Sequence, residues 1–122
     1  MWIILYNYCM EVGRRELYYF EEARDRYPYR EWLVSLKDPA TMARLDVRLT
    51  KLMRGNFGEW RAVGEGVIEL KEDFGPGYRI YVAEDGSVVV VILCGGNKRS
   101  QAADIQRAKE YWRIYKSKKR GK

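Results

Sequence analysis

The sequence predicts a single α+β domain in which a helical hairpin and a C-terminal helix pack on a curled antiparallel sheet. A chain of 122 residues can bury one hydrophobic core and is too short for two. The apolar residues recur with a helical period before Gly58, with a strand-like period after it, and again with a helical period after Ser100. These changes predict the element order β-α-α-β-β-β(β)-α.

The first half of the chain predicts one strand and two helices. The aromatic run ELYYF at residues 16–20 is typical of a strand and is followed by a charged loop. A short helix begins near Pro28, and Asp38 and Pro39 supply the N-cap and first position of a second helix that ends at residues 55–56. Apolar side chains line one side of the second helix at Met42, Leu45, Leu49 and Leu52.

The second half predicts a meander of strands and a final helix. Glycine-rich turns separate the runs EWRAV, GVIELKEDF, GYRIYVAEDG and SVVVVILC, and Asp85-Gly86 is a hairpin signal. Residues 88–93 are apolar on both faces, as in a central strand that is covered on both sides. Ser100 can cap the last helix, whose apolar side carries Ile105, Ala108, Trp112 and Tyr115.

The two ends of the chain are expected to lie outside the domain, which spans residues 14–116. Residues 1–13 are interpreted as an N-terminal extension, in preference to an added strand, and Met10 offers a second start. They lack the features of a signal peptide and are too short to span a membrane, so a cytoplasmic protein without a membrane partner is expected. Residues 117–122 form a predicted basic tail, and most of the net charge of +6 comes from the last seven residues.

The composition excludes several classes of active site. The chain has no histidine, and its two cysteines, Cys9 and Cys94, have no CxxC spacing. A zinc site and a nucleophile activated by histidine are therefore excluded. The sequence also contains no GxGxxG fingerprint and no P-loop, so no cofactor and no metal are predicted. Catalysis must then use lysine, arginine, tyrosine or carboxylate side chains.

Strand alternation places several cations on one face of the predicted sheet. Lys71, Arg79 and Tyr81 fall on the face opposite the apolar residues of their strands, so we expect them on one open surface. Lys98 could reach its rim, and Arg61 lies on the preceding segment. The tyrosines and the flanking glycines suit an anion site that binds nucleotides. The structural alternative is a solvated face with Arg79 paired to an acid such as Glu69.

Four segments of the chain resemble a known family. The runs PYREWLVSLKD, RLTKLMRGNFGEWRAVGEGVIELK, GPGYRIYV and GGNKRSQAADIQRAKEYW resemble the RelE/ParE superfamily, specifically the HigB-like addiction module killer proteins of bacterial toxin-antitoxin systems. The resemblance covers residues 27–112 and implies a RelE-like fold. It also implies a ribosome-dependent mRNA endonuclease and a cognate HigA-like helix-turn-helix antitoxin. The alternatives are a ParE-like gyrase inhibitor without nuclease activity and an inactive prophage remnant that only binds an antitoxin.

The resemblance assigns roles to the same cations that alternation selected. Lys71, where relatives commonly have arginine, Arg79 and Lys98 match the family's basic positions, and with Tyr81 they form the expected catalytic set. The expected RNA-binding residues are Arg61, Arg48 and Lys51. The implied reaction needs no metal, because the 2′-OH of RNA attacks the adjacent phosphate and leaves a 2′,3′-cyclic phosphate.

Overall fold

A five-stranded sheet lies at the centre of the computed structural model, which describes residues 13–120. The strands are β1 (Glu16–Tyr19), β2 (Trp60–Gly64), β3 (Val67–Lys71), β4 (Arg79–Asp85) and β5 (Val89–Gly96). The helices are α1 (Pro28–Ser35), α2 (Pro39–Met53) and α3 (Gln101–Arg120). The predicted α+β class and the element order are confirmed for the described residues.

The sheet is mixed, not purely antiparallel. Its strand order is β1-β5-β4-β3-β2, and β2 to β5 form an antiparallel meander joined by short turns. β1 pairs with β5 in parallel, with Glu16 opposite Val89. The prediction of a wholly antiparallel sheet is wrong at this strand, because β1 reaches β5 through two helices and three strands, and such a long connection does not restrict pairing to the antiparallel sense.

The helical hairpin begins where the sequence predicts it. The Asp38 carboxylate accepts hydrogen bonds from the amides of Ala40 and Thr41, and Pro39 is the first residue of α2. These contacts satisfy amides that have no partner inside the helix. The predicted leucine stripe is buried at Leu45, Leu49 and Leu52. Pro28 is likewise the first residue of α1, although the preceding Tyr27 makes no side-chain capping hydrogen bond.

Helices cover both faces of the sheet. On one face α1 and α2 bring Tyr29 and Leu45 into a core with Val90 and Ile92 of β5. On the other face α3 brings Ala108 and Trp112 into a second core with strand residues that include Val91, Leu93 and Tyr81. Successive residues of β5 thus enter different clusters, and the sheet divides the one core expected for this chain length into two parts. The prediction that β5 is a central strand covered on both sides is confirmed.

The glycine pair at the end of β5 admits side chains from both helical layers. A Cβ on Gly95 would overlap the indole of Trp32 in α1, and a Cβ on Gly96 would overlap the carboxylate of Asp104 in α3. Glycine is required here because the helices pack directly on the strand backbone. This pair was interpreted from the sequence as making room for a ligand, and that interpretation is corrected.

The last helix continues past the predicted domain boundary at residue 117. Within α3, Lys119 Nζ lies 2.6 Å from the Asp85 carboxylate, and the Tyr115 hydroxyl donates a 2.7 Å hydrogen bond to the same group. Residues 117–120 therefore belong to the helix. The predicted extension at residues 1–13 lies outside the described residues except for Gly13. Among the described helices, none combines the length and apolar character needed to cross a membrane.

Candidate functional site

Four of the predicted cations meet at the end of the sheet where β3 and β5 finish and β4 begins. Lys71 pairs with Arg79 across β3 and β4, and Arg79 pairs with Gly96 across β4 and β5. Two adjoining clefts, which share Lys71 and Arg79, open at this edge. The first cleft, of about 250 Å³, is lined by Glu59, Trp60, Arg61, Glu69, Lys71, Arg79 and Gln101. The second cleft, of about 320 Å³, is lined by Lys71, Asp73, Gly75, Pro76, Gly77, Arg79 and Lys98.

Arg79 lies at the junction of the two clefts and is only 5% exposed. Its Nη1 donates a 2.5 Å hydrogen bond to the Gly77 carbonyl. Its Nε lies 3.7 Å from Glu69 and has no hydrogen-bond partner in the part of the chain that the structure describes. The prediction of an open surface is wrong here, because α3 covers this face of the sheet. The guanidinium is nevertheless left with unused donors beside both clefts.

Glu69 is a buried carboxylate that accepts hydrogen bonds from three side chains. It accepts from Arg61 Nε at 2.8 Å, from Gln101 Nε2 at 2.7 Å and from the Tyr81 hydroxyl at 3.0 Å. Burial opposes ionisation of this group, but the hydrogen bonds from Arg61, Gln101 and Tyr81 outweigh it and hold the pKa below its ordinary value. Glu69 is therefore an anion that orders the first cleft, and the structural alternative of an Arg79–Glu69 pair is present at 3.7 Å.

Tyr81 lies inside the protein. Its ring is fully buried in the core beneath α3, and its hydroxyl donates to Glu69. Burial, and then the charge of Glu69, raise the pKa of Tyr81, so the hydroxyl keeps its proton. The expected role of Tyr81, stacking on a base or donating a proton, requires an exposed side chain. That expectation is wrong, because the Tyr81 side chain is buried in the core.

Lys71 and Lys98 are the flexible cations of the two clefts. Lys71 is partly exposed, with its ammonium 3.6 Å from Asp73. Lys98 is exposed, and its ammonium has no ion-pair partner among residues 13–120. The Lys98 amide donates to the Pro76 carbonyl at 3.4 Å, which fixes its backbone beside the glycine-rich loop between β3 and β4. Both side chains can reach an anion without breaking a strong contact.

The predicted RNA-binding residues on α2 do not reach the clefts. Arg48 is buried and bonds the carbonyls of Phe57, Glu59 and Lys71. The expectation that its side chain faces RNA is wrong, because Arg48 occupies the same buried stripe as the leucines of α2. Lys51 is exposed on α2 and lines neither cleft.

Several residues of the first cleft were not singled out from the sequence. They are Glu59, Trp60, Gln101 and, as an ordering anion, Glu69. Glu69 shares its strand face with Lys71 and lies opposite Tyr81, so alternation carried a signal for it. Gln101 had a weaker signal as the first residue of α3, two positions after the Lys98-Arg99 pair that follows β5.

The arrangement suits recognition of a polyanion. Arg61, Lys71, Arg79 and Lys98 outnumber the carboxylates of the two clefts, and the most buried carboxylate, Glu69, is already occupied by Arg61, Gln101 and Tyr81. A phosphodiester that enters either cleft therefore meets the Arg79 guanidinium, whose one hydrogen bond among the described residues is to the Gly77 carbonyl. Within the described ranges no three Cys, Asp or Glu side chains are grouped as a metal site.

Comparison with known proteins gives one informative match. No family model matches the chain, and no solved structure matches it significantly. An uncharacterized protein of Haemophilus influenzae is 42% identical over 78 residues, which covers 64% of this chain and 79% of that protein. Identity at this level over most of the relative's length indicates common descent and a common fold. The chain therefore belongs to the same family as this H. influenzae protein.

Proposed function

We propose that the protein is the toxin of a type II toxin-antitoxin module, with a RelE-like fold, and that it cuts mRNA on the ribosome. The observation that carries the proposal is Arg79, a buried guanidinium at the junction of two clefts, with Lys71 beside it and Lys98 also lining the second cleft. Buried arginines are normally satisfied by their own protein. Unused donors at a cleft are what a phosphate ligand needs.

The layered architecture supports the RelE-like part of the proposal. A helical hairpin covers one face of the four-stranded antiparallel meander, and α3 covers the other. The cations lie at one end of this meander, where the β3–β4 loop and the start of α3 meet. Rigid strands thus carry the proposed site, which favours fixed geometry over an adaptable surface.

The reaction follows from the chemistry of RNA. The 2′-oxygen forms a bond to the adjacent phosphorus, the bond from phosphorus to the 5′-oxygen breaks, and the 2′-hydroxyl loses the proton that the leaving oxygen must gain. Arg79 stabilises the added charge on the phosphoryl oxygens, and the two clefts hold the nucleotides on either side. The ribosome contributes by bending the message into this geometry.

The proton transfers are assigned to the cations at the clefts. Lys71 and Lys98 have side chains with the freedom to approach the 2′-oxygen and the 5′-oxygen. Tyr81 is left out of the mechanism, since its hydroxyl is buried and committed to Glu69. Glu69 contributes by positioning, because its carboxylate accepts hydrogen bonds from Arg61 and Gln101 and holds both side chains in the first cleft.

The proposal includes a cognate antitoxin, a HigA-like helix-turn-helix protein encoded beside the toxin. Carboxylates of such a partner could pair with Lys71 and Lys98, or the partner could block entry to the ribosome sterically. Co-expression with the adjacent reading frame should rescue growth and yield a stable complex that protects the message. Failure of every neighbouring product to bind would contradict this part of the proposal.

The decisive experiment incubates purified protein with translating ribosomes and one defined message. We expect cuts only within the translated region, with the upstream fragments ending in a 2′,3′-cyclic phosphate. A single 2′-deoxy substitution at the cut nucleotide should abolish that cut. Arg24→Ala, which changes an exposed arginine that lines neither cleft, is the matched control and should cut like the wild type.

Other outcomes would overturn the nuclease assignment in distinguishable ways. Growth arrest without any cut message, together with inhibited DNA supercoiling by gyrase, would indicate the ParE-like activity. If the protein neither arrests growth nor cuts the message, it is an inactive protein that only binds an antitoxin. Cleavage that survives the 2′-deoxy substitution would contradict the proposed chemistry even if the message is cut.

A further inference from the structure

Arg48, on α2, joins the backbone segments that form two walls of the first cleft. Its Nη2 donates to the Phe57 carbonyl at 2.8 Å and to the Glu59 carbonyl at 2.6 Å. Its Nη1 donates to the Lys71 carbonyl at 2.7 Å and to the Glu72 carboxylate. One side chain thus holds the segment that leads into β2 and the end of β3.

On its β4 side the end of β3 is held by the Glu72 amide, which donates to the Tyr78 carbonyl at 2.8 Å, whereas its contact with the segment before β2 is weaker. The Lys71 amide donates to the Glu59 carbonyl at 3.3 Å, a long hydrogen bond beyond the end of the β2–β3 ladder. Arg48 donates to the carbonyls of both residues that form this hydrogen bond, Glu59 and Lys71. Gly58 passes so close that a Cβ there would lie 3.2 Å from Arg48 Nη2. The loop therefore wraps around the guanidinium.

We propose that Arg48 is a positioning residue, which sets the separation between Lys71 and the Glu59–Arg61 wall of the first cleft. The proposal rests on the nuclease function proposed above. Arg48 itself lines neither cleft, so it acts through the backbone of residues that do. A shift of about 1 Å at a reacting group can reduce a rate by on the order of 100-fold.

The conservative variant Arg48→Lys separates positioning from simple packing. Lysine keeps the charge and most of the volume, but its single ammonium cannot bond four acceptors on two segments at once. We expect kcat for ribosome-dependent cleavage to fall about 10- to 100-fold. KM for the ribosome–message complex should stay within about twofold, because the cations that bind phosphate are unchanged.

Leu49→Ala is the matched structural control. Leu49 is the next residue of α2, is buried in the core beneath the sheet and lines neither cleft. Its truncation should lower the stability of the protein at least as much as Arg48→Lys does. At temperatures well below unfolding, we expect its kcat to remain within about twofold of the wild type.

Amide hydrogen exchange provides a readout that does not depend on cleavage. In Arg48→Lys the Lys71 amide should exchange at least about 10-fold faster than in the wild type, while the Ile80 and Val82 amides, in the centre of the sheet, keep their rates. In Leu49→Ala we expect no selective change at Lys71. If the wild type cuts no message, the nuclease function fails and this comparison alone decides the positioning role.

The kcat and exchange rates of the two variants distinguish positioning by Arg48 from a general loss of packing. A selective loss of protection at Lys71 with a lower kcat supports the proposal. Wild-type kcat and wild-type exchange at Lys71 in Arg48→Lys would overturn it. An equal fall of kcat in Leu49→Ala would also overturn it, because a general loss of packing would then explain both variants.

Discussion

Arg48 and Arg79 are both buried, yet their terminal nitrogens are used very differently. Arg48 is 8% exposed, and its two terminal nitrogens bond three carbonyls and one carboxylate. Arg79 is 5% exposed, and its terminal nitrogens make one hydrogen bond within the described part of the chain, to the Gly77 carbonyl. Within residues 13–120 neither Nε has a hydrogen-bond partner, although Arg79 Nε lies 3.7 Å from Glu69. The difference therefore lies at the ends of the two guanidinium groups.

This difference separates a structural arginine from one that is proposed to bind a ligand. The acceptors of Arg48 are fixed backbone groups, so its charge is used to hold the fold together. Arg79 lines two clefts and keeps donors free beside them. Burial alone would have classified the two residues together. The accounting of hydrogen bonds, and the presence or absence of a cleft, tell them apart.

The largest expected effect is on stability, in Arg48→Ala. Removing the guanidinium leaves three carbonyls and the partly buried Glu72 carboxylate without this partner, which should lower the free energy of unfolding by about 3–5 kcal/mol. Urea denaturation measures this loss, with Arg24→Ala as the exposed control expected within about 0.5 kcal/mol of the wild type. A loss below about 1 kcal/mol would show that Arg48 does not hold the two segments together.

The next effect is on catalysis, in Arg79→Ala. Loss of one preorganised donor to a developing anion typically reduces kcat by about 10²- to 10³-fold, and we expect the cleavage rate to fall by that factor. The loss of stability should be smaller than in Arg48→Ala, since fewer hydrogen bonds are removed. Arg79→Lys should recover part of the activity, because it restores the charge but not the planar fork. Near-wild-type cleavage by Arg79→Ala would place the reaction elsewhere.

A smaller effect is expected from Gly77→Ala, which acts on the acceptor of Arg79. Gly77 has a φ of +78°, and a Cβ there would lie 2.9 Å from Arg79 Nη1. We expect a stability loss of about 1–2 kcal/mol and slower cleavage. Gly86→Ala is the control, because Gly86 has a φ of +77° with nothing within 4 Å of a Cβ. Gly86→Ala should lose a similar amount of stability and cut the message at the wild-type rate. If both variants cut more slowly, the effect of Gly77→Ala does not act through Arg79.

The pH dependence of stability should report on Glu69. Its pKa is lowered from an ordinary value of 4.5 in the folded protein, so its ionised form stabilises the fold above the unfolded pKa. That contribution is lost as the pH falls below 4.5 through the folded pKa. The free energy of unfolding of Glu69→Gln should therefore fall less steeply with acidification than that of the wild type. Parallel curves in this range would exclude Glu69 as an ordering anion.

The smallest effect is expected in Lys98→Ala. Lys98 is an exposed cation of the second cleft, so its loss should weaken the binding of an uncleavable RNA modestly. If it makes one phosphate contact, the slope of log K against log salt concentration should fall in magnitude by about 0.7. An unchanged slope in Lys98→Ala would remove this residue from the RNA path. Arg24→Ala again provides the control.

Local signals in the sequence predicted most of the fold and the cluster of cations. Asp38 and Pro39 predicted the start of α2, and alternation placed Lys71, Arg79 and Tyr81 on one face. The parallel pairing of β1 was missed because it joins segments far apart in the chain. The covered face was misjudged because a helical pattern shows which side of α3 is apolar, but not which face of the sheet it covers.

The misplacement of Arg48 had a local signal that was not used. Thr41, Leu45, Arg48 and Leu52 recur at spacings of four, three and four residues, which places Arg48 on the buried stripe of α2. A charged residue at such a position must find partners inside the protein. The identity of those partners could not be predicted, because the Phe57, Glu59 and Lys71 carbonyls meet only when the strands assemble.

We propose that Arg79, unlike Arg48, keeps its guanidinium available for a phosphate. Titration of the protein with an RNA that carries 2′-deoxy nucleotides, followed through the side-chain guanidinium resonances in NMR spectra, tests this claim most directly. We predict a saturable shift of the Arg79 resonance, with the Arg48 resonance unchanged. Saturable RNA binding that leaves the Arg79 resonance in place, or that shifts the two resonances equally, would contradict the claim.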